Sequence, residues 1–110
     1  MEVGYEDPKF EALVSNERAL RKKFGAGVIK SLARRHTSLR GAATLAELHR
    51  MPGRTHPLRG DRAGTFAMEL PGGFRLILRP TPPVPTLKDG GIDLDRVTRV
   101  TLVEISAHYA

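Results

Sequence analysis

The 110-residue chain has no cysteine and no tryptophan, and it contains only two Tyr and four Phe. Without thiols it forms neither disulfide bonds nor thiolate metal sites, a composition that suits a reducing cytoplasm. So few aromatic rings argue against binding of single-stranded nucleic acid by extensive base stacking. No apolar run approaches the length of a membrane span, and the first five residues lack the apolar core of a signal peptide. We therefore expect a cytoplasmic protein with no membrane partner.

Acidic side chains are also missing from residues 18–40, which carry eight Arg or Lys. Residues 1–17 hold five carboxylates against one Lys, and residues 50–79 hold six Arg against two acids, within a net charge of +6. Cations this dense repel one another unless an external anion balances them. The pattern therefore favours a polyanionic partner, either nucleic acid or an acidic protein tail. The alternative is a basic helix face that only meets solvent.

The hydrophobic pattern predicts a single α+β domain over residues 1–110. Residues 2–5 read as a first strand, and Asp7 followed by Pro8 is typical of a helix start. Helical spacing runs to about residue 23, is interrupted at residues 25–27 by Gly-Ala-Gly, and resumes to about residue 43, which predicts an antiparallel helical hairpin. Thr44 and Glu47 have the spacing of a capping box and predict one further helical turn.

The second half of the chain predicts strands. Apolar and polar residues alternate over residues 65–70 and 74–79 around a Pro-Gly-Gly turn, which gives a hairpin with one apolar face and one face that bears arginine. Residues 80–93 form a Pro/Gly-rich loop, and residues 97–105 form a β-branched strand whose imperfect alternation does not reveal its buried face. We expect the helical hairpin to pack on one face of a mainly antiparallel sheet of about four strands.

Residues 56–64 carry the most informative pattern, H-P-L-R-G-D-R-A-G. The run combines the imidazole of His56 with the guanidinium groups of Arg59 and Arg62, and the next hairpin adds Arg75. Imidazole transfers protons near neutral pH, and guanidinium binds phosphate in a bidentate manner. In a chain this basic, the combination indicates RNA phosphodiester chemistry.

This run, the preceding M-P-G-R-T and the later G-F-R-L-I-L resemble the HigB-type toxins of the RelE/ParE superfamily. The order of elements resembles that family too, over nearly the whole chain except residues 80–93. The resemblance implies the toxin of a bacterial type II toxin–antitoxin system, an mRNA endonuclease that in many members cuts messages on the 70S ribosome. It also implies a small cognate antitoxin, often with a helix-turn-helix, whose complex with the toxin binds operator DNA.

The resemblance assigns His56 to the family's active-site histidine, Arg59 to its adjacent basic residue and Arg75 to the arginine of the following strand. HigB-like chains commonly end in Asp-Tyr-His, whereas this chain ends in Ala107-His108-Tyr109-Ala110. Because neighbouring strand residues point to opposite faces, this exchange alters which ring faces the site.

Metal-free RNA cleavage needs a base for the 2′-hydroxyl, an acid for the 5′-oxygen and cations for the phosphorane. We assign proton transfer to His56 and His108, with Tyr109 as substitute or positioning group, and charge stabilisation to Arg59 and Arg75. No cofactor is expected, and no spacing of ligand residues supports a metal site. The alternative for His56 is a loop histidine whose ring nitrogen only satisfies a backbone carbonyl.

Other basic residues are assigned to RNA binding. The helical ones are expected to dock on ribosomal RNA, and Asp61-Arg62 is alternatively a structural turn pair. The assigned residues are Arg21, Lys22, Lys23, Lys30, Arg34, Arg54, Arg62 and Arg79.

Three rival functions remain open at this stage. A catalytically degenerate member would bind the ribosome or another target without cutting, as the altered C-terminus suggests. A ParE-like inhibitor of DNA gyrase is a second rival, although that branch usually lacks the histidine. A generic nucleic-acid-binding module fits the charge but leaves residues 56–64 without a role.

Overall fold

A computed structural model of the chain describes residues 1–107 and confirms the α+β architecture with an N-terminal strand. A five-stranded sheet has the order β1-β5-β4-β3-β2, in which β1 pairs in parallel with β5 and the other pairs are antiparallel. Two short 3-10 helices lie at Gly60–Arg62 and Leu94–Arg96. The remaining elements are β1 (Glu2–Tyr5), α1 (Pro8–Val14), α2 (Glu17–Phe24), α3 (Ala26–Gly41), α4 (Leu45–His49), β2 (His56–Pro57), β3 (Phe66–Glu69), β4 (Phe74–Pro80) and β5 (Arg99–Ala107).

The first predicted helix is in fact two helices, so the prediction of one helix to about residue 23 is wrong. Asp7 caps α1 through the N–H of Lys9 at 2.8 Å, as its sequence indicates. Asn16 then adopts an extended conformation and accepts a hydrogen bond from the N–H of Ala19, which starts α2. Because Asn competes for backbone donors, it begins a new helix where apolar spacing alone predicts a continuous one.

The later helices follow the sequence closely. Gly25 separates α2 from α3 with φ of +94°, a conformation that glycine adopts without steric cost. Thr44 caps α4 through the N–H of Glu47, and the Glu47 carboxylate accepts a hydrogen bond from the N–H of Ala43. The capping box is therefore present, except that the Glu47 carboxylate accepts from the N–H of Ala43 and not from that of the N-cap residue Thr44.

The two faces of the sheet differ in what covers them. On one face the helices bury a single apolar cluster, to which β3, β4 and β5 contribute the side chains Phe66, Met68, Leu76, Leu78, Val100, Leu102 and Ile105. The opposite face, which we call the open face, follows from strand register because paired residues point the same way. It carries His56, Ala67, Glu69, Arg75, Ile77, Arg79, Thr101, Glu104 and Ser106.

A β-bulge in β5 explains the imperfect alternation of that strand. Ile77 pairs with Glu104, but the next residue, Leu78, pairs with Leu102, so that Val103 is an extra residue. The bulge reverses the alternation, and it returns Glu104 and Ser106 to the open face. Sequence periodicity does not reveal such an insertion, because one extra residue only interrupts the two-residue alternation of apolar and polar side chains.

Strand β4 extends to Pro80, and residues 81–93 form a connection that closes on itself through a bridge between Thr86 and Ile92. Within residues 1–107, no helix has both the length and the apolar character needed to cross a bilayer.

Candidate functional site

The H-P-L-R-G-D-R-A-G run contains more regular structure than the loop that its composition predicts. His56 and Pro57 form the edge strand β2, paired with Ala67 and Phe66 of β3. Residues 60–62 form a turn of 3-10 helix that starts at Gly60, whose φ is +65°. The run therefore attaches His56 to the sheet and then continues into the 3-10 turn.

The imidazole of His56 is held by one backbone contact. Its Nδ1 lies 2.8 Å from the carbonyl oxygen of Arg54. A carbonyl oxygen only accepts hydrogen bonds, so Nδ1 carries the proton and Nε2 of the neutral ring is a free acceptor. In residues 1–107, Nε2 has no hydrogen-bond partner. This arrangement suits a base, and a purely structural histidine also makes the bond to Nδ1.

Arg75 lies on the same face of the sheet as His56, two strands away. It pairs with Glu69 on β3 and Ser106 on β5, and its Nε donates to the Ser106 hydroxyl at 3.3 Å. Strand spacing and rise per residue separate the Cα atoms of His56 and Arg75 by about 12 Å. The two side chains therefore share a face without direct contact, and Arg75 leans towards β5.

Arg59 precedes the 3-10 turn, and its side chain is exposed. In the described part of the chain, neither Arg59 nor Arg75 takes part in an ion pair. Both guanidinium groups are therefore available to bind an external anion. They are the two arginines to which the motif assigns phosphorane stabilisation.

The other arginines assigned to RNA binding near the open face each have a carboxylate partner. Arg54 lies 3.5 Å from Glu69, and Arg79 lies 2.7 Å from Glu6. Arg62 lies 3.4 Å from Glu104. These pairs orient the guanidinium groups and reduce their net field.

The pair between Arg62 and Glu104 has a structural consequence. Glu104 is opposite Ile77 on β5, so its contact with Arg62 links the 3-10 turn, which precedes β3, to the far strand of the open face. Ala67 and Ile77 are fully buried although they belong to the open face. Asp61 and Arg62 both lie in the 3-10 turn, and the carboxylate beside Arg62 is that of Glu104. Glu104 is a site carboxylate that sequence reasoning missed, because the bulge hides its orientation.

The helical basic residues form a separate surface, the helix-layer cations. All are exposed on α2 or α3, whose buried residues belong to the cluster on the other side of the sheet. Two have a contact within residues 1–107: Arg21 lies 3.7 Å from Glu17, and Lys23 lies 5.7 Å from the centre of the Phe24 ring. The helix-layer cations are Arg21, Lys22, Lys23, Lys30 and Arg34.

The two C-terminal candidates, His108 and Tyr109, lie outside the described residues. Within residues 1–107, no three His, Asp or Glu side chains come together as a metal site. His49 is half-buried on α4, where its Nδ1 donates to the carbonyl of Leu45 at 2.8 Å and its ring meets Phe66 edge-on. It therefore lies on the opposite side of the sheet from His56.

A groove of about 620 Å³ lies away from the open face, between the helices and β1. It includes Tyr5, Glu11, His36 and Arg40, and His36 Nδ1 accepts a hydrogen bond from Arg40 Nε at 3.3 Å. Burial lowers the pKa of His36, and the Arg40 charge adds to this. Burial also raises the pKa of Tyr5, reinforced by the Glu11 carboxylate. Neither this groove nor one of about 530 Å³ beside β1 is lined by His56, Arg59 or Arg75.

Known proteins resemble this chain in structure and not in sequence. No protein-family model matches the chain, and no curated protein matches it. Among solved structures, the chain is similar to a YoeB/ParE toxin from Agrobacterium tumefaciens, with a TM-score of 0.47 and 17% sequence identity. The alignment covers 99% of this chain and 100% of that one.

Proposed function

We propose that this chain is the toxin of a type II toxin–antitoxin system, of the HigB type, and that it is an endoribonuclease that cleaves mRNA on the ribosome without a metal ion. The sequence support is the run over residues 56–64 with its downstream arginine. The structural support is the arrangement around His56. We further propose that it acts in the cytoplasm, where ribosomes and mRNA are found.

The observation that carries the proposal is the state of three side chains. His56 has Nδ1 occupied by a carbonyl and Nε2 free, on the face of the sheet that also bears Arg75. Arg59 and Arg75 are without ion pairs in residues 1–107. A proton acceptor and an uncompensated guanidinium group on one face of the sheet, with a second such group in the adjoining loop, match the groups that phosphodiester cleavage requires.

In the proposed reaction, Nε2 of His56 removes the proton of the 2′-hydroxyl, and the resulting oxygen attacks phosphorus. The bond to the 5′-oxygen breaks, and that oxygen receives a proton from His108 or Tyr109. The products are a 2′,3′-cyclic phosphate and a free 5′-hydroxyl. Arg59 and Arg75 stabilise the negative charge that builds up on the non-bridging oxygens.

The proposed partners follow from charge and from the motif. The helix-layer cations have the exposure and charge to dock on ribosomal RNA, and such contacts weaken steeply as salt rises. Inhibition would come from a cognate antitoxin, which we expect to contain a helix-turn-helix and to bring the complex to operator DNA.

The proposal is tested by inducing the wild-type chain and the His56→Ala variant and mapping transcript 5′ ends by primer extension. We expect new 5′ ends and growth arrest with the wild type and neither with His56→Ala. His36→Asn is the matched control, because it removes a histidine from the helix layer, and it should cleave like the wild type. Full cleavage by His56→Ala would refute the assignment.

A second candidate function is a toxin that binds without cutting, including a ParE-like gyrase inhibitor. It is favoured by the C-terminal Ala107-His108-Tyr109-Ala110, in which the expected acidic residue is Ala107. The bond between His56 Nδ1 and the Arg54 carbonyl is also one that a structural histidine makes. Growth arrest without new 5′ ends would favour this candidate, and a supercoiling assay with purified gyrase would identify the ParE-like form.

A further inference from the structure

We propose that Arg35 is a positioning residue for His56, and that it acts through the turn at Gly53 and Arg54. The turn holds the Arg54 carbonyl against Nδ1, and this contact selects the tautomer that leaves Nε2 unprotonated. The catalytic consequence rests on the proposed function, whereas the tautomer is a property of the free protein.

The strand alone leaves the ring of His56 under-determined. β2 has only two residues and lies at the edge of the sheet, so its pairing with β3 fixes the backbone of His56 but not the ring. Only one hydrogen bond to the ring is present in residues 1–107, and it comes from a residue two positions earlier. The conformation of Arg54 therefore determines how the imidazole is presented.

The turn before His56 adopts a conformation that L-amino acids disfavour. Gly53 has φ of +124°, and Arg54 has φ of +52°. Within residues 1–107, Arg54 is the one non-glycine residue with a positive φ. Such a conformation persists where surrounding contacts impose it, and these residues are often found at functional sites.

Arg35 supplies the contacts that impose this conformation. The N–H of Glu69, at the end of β3, donates to the Gly53 carbonyl at 2.8 Å. The carbonyl of the same Glu69 accepts a hydrogen bond from Arg35 Nε at 3.0 Å. One residue of β3, Glu69, thus connects the helix layer to the turn through its N–H and its C=O.

The side chain of Arg35 also packs directly on the turn. A Cβ placed on Gly53 would lie 3.1 Å from Arg35 Cδ and 3.2 Å from Arg35 Nη1. Gly53 is therefore required for its backbone conformation and for the space that Arg35 occupies. Arg35 is unlike the other cations of α3, because it is half-buried and its Nε is committed to a carbonyl.

The chemical consequence concerns which ring nitrogen acts. In a free histidine side chain the proton resides mainly on Nε2, which would make the outward nitrogen a donor. The Arg54 carbonyl reverses this preference because it accepts only from a protonated Nδ1. Loss of the turn geometry would therefore convert the proposed base into a ring with the wrong nitrogen protonated.

The experiment measures the His56 tautomer in the free protein by long-range ¹H–¹⁵N correlation NMR, at a pH where the ring is neutral. We expect the proton on Nδ1 in the wild type. Arg35→Lys keeps the charge but not the planar group, and it should move much of the proton to Nε2. Arg50→Lys makes the same chemical change at an exposed position and should leave the tautomer unaltered.

A second pair of variants tests the turn at constant charge. Arg54→Asn and Arg54→Val both remove the guanidinium group, but Asn tolerates positive φ and Val does not. Arg54→Asn should retain the Nδ1–H tautomer, and Arg54→Val should lose it. The amide spectrum of each variant establishes that it is folded, and Arg35→Lys is the independent arm if Arg54→Val fails to fold.

The outcomes separate this inference from the proposed function. An Nε2–H tautomer in the wild type, or an unchanged tautomer in folded Arg35→Lys, overturns the positioning role of Arg35 whatever the protein cleaves. An unchanged tautomer in folded Arg54→Val overturns the role of the turn. The expected tautomer changes in a protein that leaves no new RNA ends would support the positioning role and contradict the ribonuclease. If both hold, Arg35→Lys should lower the cleavage rate several-fold with little change in RNA affinity.

Discussion

Cations on the two sides of the sheet have different surroundings. The helix-layer cations are exposed, and within residues 1–107 the ion pairs of this set are limited to that of Arg21 with Glu17. Near the open face, Arg54, Arg62 and Arg79 each lie beside a glutamate. The helix-layer cations therefore present a net positive field, whereas each of these three ion pairs holds an oriented guanidinium group with little net charge.

This difference suggests a division of labour between affinity and chemistry. Uncompensated surface charge attracts a polyanion from a distance and does so without fine geometry. Oriented guanidinium groups act over short distances, where their direction matters. Arg59 and Arg75 lie near the ion-paired arginines of the open face but, like most helix-layer cations, have no carboxylate partner in residues 1–107. The proposed chemistry depends on them for this reason.

The largest expected effect is on cleavage when Arg75 is removed. Arg75→Ala should lower the rate of RNA cleavage by about 10²–10³-fold, the cost of removing one charge-stabilising group from an active site. RNA affinity should change little, because the helix layer supplies it. Single-turnover cleavage by the purified protein with ribosomes and mRNA provides the measurement. Arg96→Ala, an exposed arginine in the second 3-10 helix, is the control, and an equal loss there would remove the special role of Arg75.

A weaker effect is expected on RNA binding when the helix layer loses charge. A triple variant of Lys22, Lys23 and Lys30 to Gln should reduce the salt dependence of log K by about 2, close to 0.7 for each cation on single-stranded RNA. Anisotropy of a labelled RNA over a series of salt concentrations measures this slope. The charge-matched triple of Arg54, Arg62 and Arg79 to Gln should change it less. Equal salt slopes for the two triple variants would show that ion pairing does not reduce the contribution of these arginines to RNA binding.

Removing the carboxylate of one ion pair should leave an uncompensated cation on the open face, as on the helix layer. Glu104→Gln releases Arg62, and we expect RNA affinity to rise on the order of threefold. Stability should fall by less than about 1 kcal/mol, because the two side chains are 38% and 46% exposed. Anisotropy and urea unfolding measure the two quantities. A fall in affinity would indicate that the Glu104 carboxylate orients Arg62 for RNA.

The smallest effect concerns the pH dependence of stability. The pKa of His36 lies below its ordinary value of 6.5 because the ring is partly buried and lies beside Arg40. As pH falls through 6.5, the unfolded chain binds a proton that the folded chain does not, so stability decreases until the folded pKa is reached. His36→Asn should flatten this decrease, as measured by urea unfolding from pH 7.5 to about 5. Thr37→Asn, one residue away, should keep the wild-type slope.

Much of the fold was predictable because its signals are local. The start of α1 at Asp7 and Pro8, the cap at Thr44 and the hairpin around residues 71–73 each depend on a few adjacent residues. The division of the first helix was missed although Asn16 is a recognisable cap, because the apolar spacing continues across it. At Asn16 the capping hydrogen bond to the N–H of Ala19 determines the helix boundary, and the apolar periodicity does not.

The candidate site depends on the sequence for the choice of its residues and on the structure for their arrangement. The sequence motif identifies His56, Arg59 and Arg75, and register then decides that His56 and Arg75 share a face. Glu104 and Arg35 were missed because their roles depend on a bulge and on a contact across 34 residues, respectively. Neither a bulge nor a long-range hydrogen bond leaves a signature in residue spacing.

The parallel pairing of β1 with β5 has a consequence for synthesis of the protein. Glu2 is paired with Arg99, so β1 has no partner until β5 has been synthesised. Contacts between such distant segments carry the greatest loop-closure cost and form slowly. Completion of the sheet therefore waits for the synthesis of β5, and until β1 docks, the edge of β5 that receives it is available to any other extended chain.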